Sequence, residues 1–166
     1  MDTPAHDYGR VLSVEAEAIG RPGQRRFRLL ARSVSSSACV WMEKEQLGGI
    51  GDWIRDVVER LDRERPINEP DVDPLQFGEV FDLEFQAGQI GLGFLEEESA
   101  FALQAFDVQT GGEQPTFRCL LSRGQARVIA RKIERVVAGG RPVCPLCSMP
   151  IEPEGHTCPR SNGHHA

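Results

Sequence analysis

Val40-Trp41-Met42-Glu43-Lys44-Glu45-Gln46-Leu47 and Cys119-Leu120-Leu121-Ser122-Arg123-Gly124-Gln125-Ala126 are the same kind of passage met twice. Each is a short apolar run that breaks into polar residues and then changes period. After the first, Leu47, Ile50, Ile54, Val57, Val58 and Leu61 recur at helical spacing, which predicts an amphipathic helix over 44–63. Gly48, Gly49 and Gly51 weaken its first turns. After the second, Ala126, Ile129, Ile133, Val136 and Val137 define another helix. Ser122-x-x-Gln125 has the form of a capping box at its start, and Gly139-Gly140 followed by Pro142 ends it. The two helices align at a constant offset of 79: Lys44 with Arg123, Gln46 with Gln125, Ile50 with Ile129, Ile54 with Ile133. The shared strand–Gln–helix register points to an internal duplication.

Outward from these passages the chain reads as strands. Residues 8–19 carry Val11, Leu12, Val14 and Ile19 among polar neighbours, Arg21-Pro22-Gly23-Gln24 turns, and Phe27 to Arg32 is a second strand. Ser35-Ser36-Ser37 turns again before the strand at 39–43. In the second half, Val80 to Phe85 alternates, Ala87-Gly88 reads as a turn, and Ile90 to Leu95 is a strand. Glu96-Glu97-Glu98 is an acidic turn, Phe101 to Val108 a strand, Gly111-Gly112 a turn, and Thr116 to Leu121 the last strand. Strands in series followed by a helix, twice, predict an α+β fold of two similar antiparallel sheet-plus-helix halves. The boundaries fall at 1–64 for the first half, 65–79 for an acidic Pro-rich connector, 80–140 for the second half and 141–166 for a small module and tail. Each helix buries a handful of aliphatic side chains worth roughly 1.5–3 kcal/mol apiece before entropy is charged. Neither half is expected to stand alone, so the two share one sheet or pack face to face.

The module holds the sharpest chemical signal. Cys144-Pro145-Leu146-Cys147 and, further on, Gly155-His156-Thr157-Cys158-Pro159 place soft ligands close together in a short peptide. A Cys-x-x-Cys turn lets both sulfurs reach one ion, and Cys144, Cys147, His156 and Cys158 complete the tetrahedral Cys3His set that zinc prefers. The loop between the pairs is too small for a core, so the ion would supply the folding energy. Four protein ligands leave no position for a water, which makes the expected zinc structural, in a ribbon or knuckle. A disulfide among these thiols, or free thiols, is the alternative, and His164 and His165 are rival ligands in a loose tail.

The 166 residues, 40% hydrophobic, suffice for one domain and an appendage but hold no run long enough to span a membrane. A polar, acidic start (Met1-Asp2-Thr3-Pro4) is no signal peptide, and the thiol usage suits a reducing, cytoplasmic compartment. Cys39 and Cys119 sit in strand-like runs as buried fillers. A net charge of -6 argues against a dedicated nucleic-acid binder. The charge is uneven, however. Arg123, Arg127, Arg131, Lys132, Arg135 and Arg141 form a basic stripe that leads into the metal module, while residues 62–84 are rich in acids. The stripe is a possible interaction face for an acidic protein or for nucleic acid, or a solvated helix face matched in part by the protein's own connector. Gly88-x-x-Gly91-x-Gly93 lacks the strand-then-helix setting of a nucleotide loop. Glu15/Glu17, Glu43/Glu45 and Glu96–Glu98 read as solvated faces and turns rather than paired catalytic carboxylates, and no Ser/His/Asp set is legible.

Gly20-x-Pro22-Gly23-Gln24-x-x-Phe27, Glu43-Lys44-Glu45-Gln46-Leu47, Gly140-Arg141-Pro142-x-Cys144-Pro145-Leu146-Cys147 and Pro153-x-Gly155-His156-x-Cys158-Pro159-Arg160 resemble an actinobacterial family known as a domain of unknown function, numbered 3090. The likeness spans nearly the full chain, with Ser148 standing where a glycine is expected. It implies a bacterial cytoplasmic setting and a C-terminal metal-ligand motif, and it brings no activity and no catalytic residues. The sequence thus predicts a non-enzymatic adaptor that contacts a protein partner, with the zinc fixing Leu146, Met149 and Ile151 in place. Nucleic-acid binding through the basic helix and module is the first alternative, and an enzyme with a site between the halves is the second.

Overall fold

A computed structural model describes residues 3–139 and residue 146. The elements run β1 (His6–Arg10), β2 (Ser13–Ile19), β3 (Arg26–Arg32), β4 (Ser37–Met42), α1 (Lys44–Glu64), β5 (Leu83–Leu95), β6 (Ala100–Asp107), β7 (Phe117–Leu121) and α2 (Arg123–Ala138). The fold is mixed α+β, one seven-stranded sheet in the order β1-β7-β6-β5-β4-β3-β2 with two helices. Both halves contribute to that single sheet.

β2–β3–β4 and β5–β6–β7 pair antiparallel, as the short turns between successive strands allow. What joins them is parallel pairing. β5 pairs parallel with β4, Ala38 opposite Leu83, and β1 pairs parallel with β7, His6 opposite Phe117. β1 and β2 lie at the two ends of the sheet order, yet only Val11 and Leu12 separate them. The Val11 N–H donates to the Leu120 carbonyl at 3.2 Å and the Leu12 N–H to the Arg32 carbonyl at 2.8 Å. Consecutive residues therefore reach opposite neighbours, and the sheet closes on itself through this bend.

β5 performs the same manoeuvre. Its first residues pair with β4 and its later ones with β6, with a bulge between Ala87 and Gln89. The turn expected at Ala87-Gly88 is thus a bulge inside one long strand. Glycine suits the position because a Cβ on Gly88 would lie 3.3 Å from the Val108 Cα.

Both helices lay their apolar faces into one core. Leu47, Ile50, Ile54 and Leu61 of α1, and Ala126, Ile129 and Ile133 of α2, join Val14, Leu29, Val40, Phe101, Leu103 and Phe117 in a contiguous cluster. Trp53 of α1 meets Phe101 edge-on, ring centroids 6.1 Å apart. The helices cross where Gly51 lies against Ile133: a Cβ there would stand 2.7 Å from the Ile133 Cγ2. The predicted capping box of α2 is formed, with the Gln125 N–H on the Ser122 Oγ at 3.1 Å and the Ser122 N–H on the Gln125 Oε1 at 3.0 Å. At α1 the Glu43 N–H donates to the Gln46 Oε1 at 2.7 Å, so the shared glutamine does the same work in both helices.

The glycines separate by what surrounds them. Gly49 is exposed within α1 with nothing within 4 Å of a would-be Cβ, whereas one on Gly124 would lie 2.1 Å from the Pro70 carbonyl oxygen. Gly49→Ala should gain up to about 1 kcal/mol of helix propensity, which raises the melting temperature by about 2–4 °C. Gly124→Ala should lower it despite the same propensity gain, because a backbone oxygen must be displaced at roughly 1–3 kcal/mol. Thermal unfolding of the two variants checks both signs.

Candidate functional site

The connector between α1 and β5 has no regular structure, and it is bonded along its length. Glu69 accepts from the Gly124 N–H at 3.0 Å, and the Val72 N–H donates to the Gly124 carbonyl at 3.4 Å. The Leu75 N–H reaches the Ser13 Oγ at 2.7 Å, and Asp82 accepts from the Ser37 N–H at 2.8 Å. It runs as a strap from the end of α1, across the start of α2, to the start of β5. The reason lies in α2 itself. Its first turn contains no acid and begins with Arg123, the wrong sign for the helix dipole. The strap brings a carboxylate to that end, and Gly124 lets the strap backbone come close enough.

The basic stripe meets the strap residue by residue. Arg123 is buried, and its Nη1 donates to the Arg65 carbonyl at 2.7 Å and approaches Asp62 at 3.4 Å, which ties the last turn of α1 to the first of α2. Arg127 spans Asp62 at 3.2 Å and Asp71 at 2.9 Å. Arg131 pairs with Asp71 at 2.5 Å, and Lys132 lies 3.6 Å from Glu15 on β2. Arg135 is exposed and has no carboxylate within salt-bridge distance among the described residues, and Arg141 lies outside them. Hydrogen bonds from Arg127 and then Arg131 hold the Asp71 carboxyl below its usual range, and the bond to Asp71 raises the Arg127 guanidinium.

Between α1 and α2 runs a groove of about 690 Å³. Its floor is apolar and small-residued: Gly48, Gly51, Val58, Ala130, Ile133 and Val137. Lys44, Asp52 and Arg55 from one helix and Arg131 and Glu134 from the other form the rim, so the walls carry both signs. No histidine, cysteine or hydroxyl nucleophile lines it among the described residues.

The acidic pairs read from the sequence do not converge. Glu17 binds Arg28 at 2.6 Å, Glu15 faces Lys132, and Glu96 pairs with Arg65 at 2.9 Å. Sequence reasoning missed a cluster on the sheet's other face, where Arg26 lies over the Trp41 ring at 4.0 Å and the Trp41 indole donates to Glu84 at 2.7 Å. Its signal was available: Arg26 and Arg28 alternate on β3 beside the only tryptophan of β4. Cys39 and Cys119 are buried, as read. Burial pushes the Cys39 thiol up to about 11, partly countered by Arg28, and the Cys119 thiol up to about 12, so both are held as neutral thiols at neutral pH. Gly88, Gly91 and Gly93 all lie within β5. Cys144, Cys147, His156 and Cys158 lie outside the described residues, among which no group of three metal-binding side chains occurs. Among the described residues no helix is long and apolar enough to cross a membrane.

Closed sheet, helix pair and strap define an α+β body with an extension beyond α2. The chain belongs to the family described as protein of unknown function, DUF3090, whose model matches residues 6–158. That match runs past the body to the last of the candidate zinc ligands. No curated protein and no solved structure matches the chain.

The strap has a pH signature. A lowered Asp71 pKa contributes stability that is present above the unfolded value, about 3.9, and is lost as pH falls through the folded one. Half-exposed pairs of this kind contribute at most about 1 kcal/mol each. Asp71→Asn should melt below wild type at pH 7, and the gap should narrow at pH 3, below the unfolded value. A gap of equal size at both pH values would mean that the carboxylate charge is not what matters.

Proposed function

We propose that the protein is a non-enzymatic adaptor in which the closed-sheet body carries a structural Cys3His zinc module, Cys144, Cys147, His156 and Cys158, that contacts a protein partner. The observation that carries this reading is the ligand spacing itself, four soft side chains within residues 144–158, all inside the stretch that the family model matches. The body is also read as an internal duplication. In its support, the parallel pair β4–β5 recurs as β7–β1, the capping glutamines Gln46 and Gln125 match, and Gly51 and Ala130 face each other's helices at the offset of 79.

Protein rather than nucleic acid is the favoured partner because Arg123, Arg127 and Arg131 are already engaged by Asp62, Asp71 and the Arg65 carbonyl. A phosphate backbone would have to displace those carboxylates first. The groove between the helices lies between the two halves, where an enzyme's cleft would sit; Asp52, Glu59 and Glu134 line it, with no histidine, cysteine or hydroxyl nucleophile among the described residues.

Metal analysis of the purified, reduced chain should find one zinc per chain. Cys144→Ser should lose most of it, while the circular dichroism and melting of the body stay within error of wild type. Absence of stoichiometric zinc in the wild-type protein would end the reading. A pull-down from native extract, wild type against Cys147→Ser, should recover a protein partner only with the wild type.

A further inference from the structure

We propose that residues 89–95 of β5 form the two-fold interface of a homodimer, in which this strand edge pairs antiparallel with the same edge of a second copy. The proposal is independent of the zinc reading. Leu83 to Gln86 of β5 pair with β4, and Gln89 to Leu95 pair with β6. β4 ends at Met42 and the chain leaves into α1, so past the bulge β5 has a strand neighbour on one side only. In an antiparallel ladder alternate residues turn their N–H and C=O groups away from the partner strand. Among the described residues only the Gln46 amide reaches that open side, bonding the Gly88 carbonyl at 3.3 Å. α1 passes over the core-facing side and is tied at its far end by Arg65 to Glu96 at 2.9 Å. Ile90, Leu92, Phe94 and Leu95 remain half-buried, whereas Leu29, Val40 and Leu103 on interior strands are at most 2% exposed.

The sequence of this edge selects a second copy as its occupant. Gln89-Ile90-Gly91-Leu92-Gly93-Phe94-Leu95 holds no charge and no proline, the residues that blunt an exposed edge. The other two edges are blunted. β2 carries Glu15 and Glu17, and β1 has Gly9 at a φ of 58° and a slip in its register. The edge of β5 is also self-complementary. A two-fold axis through Leu92 sets Ile90 opposite the second copy's Phe94, Gly91 opposite its Gly93 and Gln89 opposite its Leu95. On the core-facing side this makes two aliphatic–aromatic cross-strand pairs. On the other side it aligns glycines, and a Cβ on Gly93 would meet nothing within 4 Å. A closed two-fold contact requires such self-matching of one surface patch.

Charge agrees with the same register. Beyond Leu95 it carries the acidic turn Glu96-Glu97-Glu98 towards the second copy's Gly88 and Gln86. Gln86 lines a pocket of about 250 Å³ together with Arg25, Arg26 and Lys44, against Glu43 and Glu45. None of those three cations has a carboxylate within salt-bridge distance among the described residues, and neither Glu97 nor Glu98 has a basic partner there. The axis repeats this acidic-on-basic contact at both ends of the paired strands. It fixes the register by attraction where a parallel or slipped pairing would leave the acids unmatched.

The test is the solution mass of the full chain, by light scattering and sedimentation, with and without a metal chelator. Twice the 18.4 kDa of one chain is expected in both conditions. Gln89 is exposed and Leu95 half-buried, so both positions accept substitution without loss of the core. Gln89→Lys/Leu95→Lys sets like charges against each other at both ends of the pairing and should halve the mass, with the circular dichroism unchanged. Gln89→Lys/Leu95→Glu sets opposite charges at the same positions and should keep the dimer. A wild-type mass of one chain at the highest soluble concentration would overturn the proposal. So would a folded Gln89→Lys/Leu95→Lys variant that stays dimeric, or a folded Gln89→Lys/Leu95→Glu variant that is monomeric. Loss of the dimer on chelation would overturn it in favour of a contact through the C-terminal module, and would leave the zinc reading standing.

Discussion

Arg123 and Arg127 stand at the start of α2, where a helix favours negative charge, and the structure supplies that charge from outside the helix. Asp62 comes from the last turn of α1, and Glu69 and Asp71 come from the strap that follows it. One set of contacts thereby caps α2, ends α1 and lays the connector down. Gly124 is the steric condition for all of it, since any side chain there would meet the Pro70 carbonyl. With α2 pinned, its apolar face completes the core over the sheet. β7, which leads into α2, can then hold β1 and close the sheet.

Local patterns were readable because local physics made them. Helical spacing located α1 and α2 to within a residue or so, and Ser122-x-x-Gln125 announced a cap that is formed. The hairpins followed from apolar runs separated by turn residues, although the run over 8–19 divides into β1 and β2 at Val11-Leu12. The parallel pairs β4–β5 and β1–β7 were not readable, since they join strands distant in sequence and no periodicity encodes which strands become neighbours. Ala87-Gly88 was read as a turn because a glycine after a strand is a turn signal. The neighbour that makes it a bulge, Val108, lies on another strand. Uneven charge was visible in the sequence, as was its possible cancellation by the connector. That Arg123 would be buried could not be seen, because an arginine followed by Gly124 and Gln125 looks the same whether it faces water or a carbonyl.

The consequence for function is that most of the apparent basic face is structural. A stripe of arginines suggests a polyanion partner until each has its carboxylate, and here Asp62 and Asp71 occupy Arg127 and Arg131. What the body still offers is a groove between its helices with a charged rim over core residues such as Val58, Ala130 and Ile133. The chain beyond α2 carries Cys144, Cys147, His156 and Cys158, the ligands of the proposed zinc. Strap and module apply one design on different terms: a segment without enough apolar content to fold alone is fixed by charge in the first case and, on the proposed reading, by a metal ion in the second.

The placement of α2 depends on the strap being seated on it in solution. Amide hydrogen exchange at Val72 and Leu75 tests this most directly, because their N–H groups are bonded to the Gly124 carbonyl and to the Ser13 Oγ within a segment that has no regular structure. Seating predicts exchange at neutral pH many-fold slower than for an unstructured peptide of the same sequence, with protection reduced in Asp71→Asn. Exchange at the unstructured rate in the wild-type chain would contradict it.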